Sequence, residues 1–151
     1  MHKVSSAWIV LAVAAWFLLS ALTAGGESCD VGRQLALQGD APSAIANWEK
    51  LSSDKTPKEK LRAVMTCLRN SGIASTNEDA AKWVIDVAAK YQGHAVLYAG
   101  MLYASGAGVP QDLDLAQRYL LRARELRIPQ ADEMLQIFTK GRQQVEKGTL
   151  N

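Results

Sequence analysis

The chain has 151 residues, of which 48% are hydrophobic and 21% charged, with four prolines and no low-complexity run. That composition is ordinary for a single globular domain and excludes a low-complexity or collagen-like chain. The formal net charge of +2 falls to +1 when residues 1–26, whose only counted charge is Lys3, are set aside. So small a charge points to no polyanion, and no nucleic-acid partner is expected.

At the N-terminus, His2 and Lys3 precede an uncharged run from Ala7 to Leu22, and the small residues Ala24, Gly25 and Gly26 follow. Basic, then apolar, then small is the order of an export signal. The apolar run approaches the length that spans a bilayer, so an anchor over residues 7–24 is the competing expectation, with the positive end kept in the cytoplasm. Residues 1–26 are therefore expected to be signal or anchor and the chain's only contact with a membrane. The rest is expected outside the cytoplasm, in a periplasm or secreted. Lipid attachment at Cys29 is a third expectation, weakened by Gly26-Glu27-Ser28, which lacks the Leu and small residues of a bacterial lipobox.

Residues 27–145 are expected to form one helical domain, with 146–151 as a tail. The pattern predicts helices at Cys29 to Gln38, Pro42 to Ser52, Pro57 to Asn70, Asn77 to Tyr91, Gly93 to Ser105, Asp112 to Arg127 and Pro129 to Val145. Pro42, Pro57 and Pro129 stand at helix starts, where a missing N–H costs least. No stretch alternates convincingly at period two, so an all-α fold is expected.

The densest pattern lies between Ala95 and Ala123, where Gly100, Tyr103, Gly106, Gly108, Asp112, Ala116 and Tyr119 punctuate the chain. Gly100, beside Ala99, is expected to let two helices approach closely while Tyr103 fills the helix end. Gly106 and Gly108 supply a permissive turn, and Asp112 caps the next helix. Moving thirty-six places from Gly72, Ile73, Ala80, Trp83 and Ala95 lands on Gly108, Val109, Ala116, Tyr119 and Ala131. A period in this range predicts stacked units, here a short right-handed α-solenoid of about three helix pairs plus a capping helix.

With these residues in place, the stretch resembles the unit of the Sel-one-like repeat (SLR) family, a branch of the tetratricopeptide-like helical repeats. Ala95, Gly100, Tyr103, Gly106, Gly108, Val109, Asp112, Ala116, Tyr119 and Ala123 fill family positions. Ala99 stands where Leu is usual, Arg122 replaces Lys, Arg124 replaces an Ala and Arg127 takes a terminal Gly position. One unit matches well, its predecessor in part, and the first is degenerate. The resemblance implies that the first helix of each pair lines a concave, partner-binding surface.

Two cysteines, Cys29 and Cys67, in an exported domain suggest one disulfide. The repeat register opposes it. If Gly39 and Gly72 end equivalent helices, Cys29 faces Arg62, about five residues or ~7.5 Å from Cys67 along the axis, and a bridge needs Cα atoms within about 7 Å. A degenerate first unit would absorb that offset. The alternative is a simply buried Cys67.

Catalytic chemistry is scarce. Beyond the N-terminal segment His94 is the single histidine, and no His-x-x-x-His or Cys-x-x-Cys spacing occurs, so no metal and no cofactor are expected. Gly-x-Ser-x-Gly and phosphate-loop motifs are also missing. Asp112 with Asp114 and Asp132 with Glu133 are spaced so that neither pair shares a helical face. No catalytic residue is expected.

One helix face offers a binding surface. His94, Tyr98, Met101 and Ser105 follow helical spacing, opposite Ala95, Ala99 and Leu102. Subtracting thirty-six places gives Lys58, Arg62, Met65 and Arg69, and adding it gives Gln130, Met134, Ile137 and Gly141. A groove lined by Lys58, Arg62, Met65, Arg69, His94, Tyr98, Met101, Met134 and Ile137 would be basic at one end, with an apolar ladder of Met65, Met101 and Ile137. It suits a protein or peptide that is both acidic and apolar. The expected function is an exported, non-enzymatic adaptor holding an envelope protein or peptide. The alternative, which the family resemblance implies, is a cell-wall-binding or β-lactam-hydrolysing SLR protein, and no Ser-x-x-Lys nucleophile is expected to serve it.

Overall fold

The computed structural model describes residues 27–148. The expected signal or anchor at residues 1–26 lies outside them. The described chain is all-helical, with seven helices and no strand: α1 (Glu27–Leu37), α2 (Ala41–Glu49), α3 (Pro57–Asn70), α4 (Asn77–Tyr91), α5 (His94–Ser105), α6 (Leu113–Glu125) and α7 (Ala131–Gly148). Among the described residues no helix is long and apolar enough to cross a membrane.

Side-chain caps start four of these helices. Asp40, Thr56, Thr76 and Asp112 accept from the N–H three residues onward at 3.2, 3.4, 3.0 and 2.8 Å. Each bond satisfies a donor that the helix itself leaves orphaned. Asp79 returns the bond to the Thr76 N–H, completing a reciprocal capping box. Pro42 and Pro57 occupy first turns. Pro129 does not. It precedes α7 by two residues, Gln130 takes φ 68°, and α7 continues beyond Val145 to Gly148.

Each helix packs chiefly on its neighbours in sequence, and α2 also touches α4 and α5. Enclosed by α2, α4 and α6, helix α5 buries every residue from Ala95 to Gly100 together with Leu102. The largest fully buried side chains include Trp48, Leu68, Tyr98, Leu102 and Leu120, each worth about 1.5–3 kcal/mol of burial for an aliphatic or aromatic group.

The glycines act where backbones crowd. A Cβ at Gly100 would lie 2.9 Å from Leu120 Cγ and 3.2 Å from the Leu120 nitrogen, so α5 and α6 meet there. Gly106 caps α5 in the left-handed region at φ 69°. Gly108, at φ 75°, rests on the start of α4, where a Cβ would come within 2.5 Å of the Asn77 carbonyl oxygen. Ala95, Ala116 and Ala123 are fully buried, Asp112 caps α6, and Tyr103 stacks on Tyr119 with ring centroids 5.7 Å apart.

Cys29 and Cys67 are bonded, with Cα atoms 5.2 Å apart. Helix α1 packs on both α2 and α3. Two further bonds hold it: Trp48 Nε1 donates to the Cys29 carbonyl at 3.1 Å, and Arg33 Nε donates to the Ser71 carbonyl at 2.9 Å. The Trp48 indole covers Gly32, where a Cβ would come within 2.2 Å of Nε1. With its sulfur in a disulfide, Cys29 is not a lipid-attachment site.

Candidate functional site

A cleft of about 590 Å³ opens between α3, α5 and α7. Helix α3 contributes Lys58, Leu61, Arg62 and Met65, spaced as one helical face. Met101, Leu102, Ala104 and Ser105 come from α5, Ala107 and Gly108 from the turn after it, Asn77 from the start of α4, and Met134 from α7. At one side Gln130 Nε2 donates to the Lys55 carbonyl at 3.2 Å, tying the start of α7 to the segment before α3. Arg62 pairs with Glu59 of its own helix at 2.8 Å, and Lys58 is exposed.

Lys58, Arg62, Met65, Met101 and Met134, expected in one groove, do meet in this cleft. Four others do not. Ile137 is 56% exposed and lines no part of it. Met134, one turn before Ile137 on α7, is the residue that joins Met65 and Met101. Arg69 is exposed in the last turn of α3, a full turn beyond Met65.

Tyr98 and His94 belong to a different cluster. Tyr98, expected to line the groove, is only 1% exposed, whereas Tyr103 is only partly buried. Its hydroxyl donates to Glu49 Oε1 at 2.5 Å. His94 Nδ1 lies 2.8 and 3.0 Å from the two Glu49 oxygens. The physical reason is the enclosure of α5. A stripe assignment assumes one solvent face, whereas α2 covers the face bearing Tyr98.

Burial pushes the Glu49 carboxyl up, but the bonds from His94 and Tyr98 outweigh it and hold the group below its ordinary value. Burial first, then the bond and charge of Glu49, push the Tyr98 phenol far above its ordinary range. The cluster latches α2 to α5. A second, smaller cavity of about 230 Å³ lies beside His94 and Glu49, walled by Ile45, Val87 and Tyr91.

Leu61 was legible as a groove residue from its spacing to Lys58, Arg62 and Met65. Asn77, Ala107 and Gly108 were not, because only the packing of the α5–α6 turn on α4 brings them to the cleft. Glu49 carries no local signal at all.

One Ser-x-x-Lys string does occur, Ser52 to Lys55, contrary to the expectation. It lies in the irregular segment between α2 and α3, where the Ser52 hydroxyl donates to the Asp54 carbonyl. Three-residue spacing aligns side chains only on a helix, so the string is not arranged as a serine–lysine pair. Among the described residues no group of three His, Cys, Asp or Glu side chains is placed to hold a metal.

The chain matches no protein-family model, no curated protein and no solved structure. Its likeness to SLR units therefore rests on its own residues.

Proposed function

We propose that this protein is an exported, non-enzymatic adaptor, a short SLR-like α-solenoid of three helix pairs and a capping helix that holds another envelope protein or a peptide in its cleft. One observation carries the reading: Met65, Met101 and Met134, from three separate helices, share one open cleft with Lys58 and Arg62. Methionine side chains reshape around different partners, and such surfaces serve binding rather than a fixed reaction geometry. The Cys29–Cys67 bond supports an oxidising compartment for residues 27–148.

A photo-crosslinking amino acid placed at Ala107, an exposed residue of the cleft wall, tests the reading in the producing cell. The adaptor role requires a discrete protein adduct there and none from Ala89, exposed on α4. The same adducts from both positions, or none from Ala107, would end it.

A further inference from the structure

We infer that the cleft takes a peptide segment in which apolar side chains stand next to a carboxylate, an inference that rests on the adaptor reading above. The floor is made by Leu61, Met65, Met101 and Met134, all of them partly buried and packed against the core. None of the lining residues is acidic. Ser105 spends its hydroxyl on the Met101 and Leu102 carbonyls at 2.9 and 3.3 Å. Among the lining residues only the two cations of α3 carry charge, with Asn77 the other polar side chain.

Those cations are available. The Lys58 ammonium has no hydrogen-bond or ion-pair partner among the described residues. Arg62 reaches both Glu59 oxygens through Nη1 alone, at 2.8 and 2.9 Å. Its Nε and Nη2 remain for a second acceptor, and a guanidinium edge binds a carboxylate through two parallel bonds. A partner carboxylate would meet the unpaired Lys58 charge and the free edge of the Glu59-paired Arg62 one turn along the same helix face, while a partner cation would be repelled by Lys58.

Volume sets the mode of binding. Roughly 300–1,000 Å³ is the range of sites that enclose a drug-sized molecule, so about 590 Å³ holds a few side chains and not a whole helix. The partner's backbone runs along the mouth and sends its apolar side chains down among the methionines.

Three short fluorescent peptides of alternating pattern test this by anisotropy against the purified protein: leucine with glutamate, leucine with glutamine, and leucine with lysine. The acidic peptide should bind about tenfold more tightly than the neutral one, a difference of about 1.4 kcal/mol, and the basic peptide most weakly. The double variant Lys58→Glu, Arg62→Glu should reverse that order with an unchanged melting temperature. Met101→Glu should abolish binding of all three; should that variant unfold, Ala107→Trp, which fills the cleft from an exposed position, serves instead.

Equal binding of all three peptides, lost in the cleft variants, would overturn the charge inference and leave the adaptor reading standing. Binding indifferent to both cleft variants, or no binding at all, would overturn the site itself. Saturable binding of laurate in place of every peptide would overturn the peptide assignment in favour of a small amphiphile.

Discussion

Gly100 of α5 faces Leu120 of α6 so closely that a Cβ on the glycine would sit 2.9 Å from both Leu120 Cγ and Cδ2. Both residues are buried, and Ala99 beside them is fully enclosed. Gly100→Leu is expected to destabilise the domain by about 1–3 kcal/mol through overpacking. Leu120→Ala should recover part of that loss in the double variant, since residues in contact couple by roughly 0.5–3 kcal/mol. Thermal melting of the four proteins checks it, and strictly additive losses would place the strain elsewhere.

The Cys29–Cys67 bond closes a sequence separation of 38 residues. On the chain-entropy account such a loop contributes about 4 kcal/mol. Replacing both cysteines by serine should lower the urea midpoint accordingly, and α1 should lose protection first, because beyond its packing on α2 and α3 only the Trp48 and Arg33 side-chain bonds hold it. Hydrogen exchange that leaves α1 as protected as α5 would contradict this.

Glu49 makes stability depend on acid. Its carboxyl is held below the ordinary value of 4.5 despite burial. A group lowered by folding adds stability that is complete above its unfolded value and is lost as pH falls through the folded one. Urea midpoints should therefore decline as pH drops below about 4.5. Glu49→Gln should lower the neutral-pH midpoint and remove part of that decline. Tyr98→Phe deletes a buried donor to a charged acceptor and costs about 1.5–3 kcal/mol; it also raises the folded Glu49 value toward the unfolded one, so the acid decline should shrink. Superimposable pH profiles for all three proteins would show that the cluster is not a stabilising latch.

The proposed export has its own test. A phosphatase that folds only in an oxidising compartment, joined after Asn151, should be active. A stable but inactive fusion would place the C-terminus inside the cytoplasm. Sequencing the N-terminus of the native protein then separates cleavage near Gly25 or Glu27 from an uncleaved anchor.

The amino-acid sequence by itself determined the local structure. Caps at Asp40, Thr56, Thr76 and Asp112, prolines in first turns and glycines after helix ends act over three or four residues, and α3 and α4 begin and end where the pattern places them. The pairing of Gly100 with a close helix contact was readable for the same reason. Tertiary structure alone decided which helix lost its solvent face. His94 and Tyr98 left the groove because α2, some forty-five residues upstream, brought Glu49 against them. Met134 reached the cleft while Ile137, one turn further along α7, stayed exposed outside it. Cys29 met Cys67 because α1 packs on both α2 and α3. Each of these depends on contacts between distant segments, and no local rule of spacing or propensity carries that information.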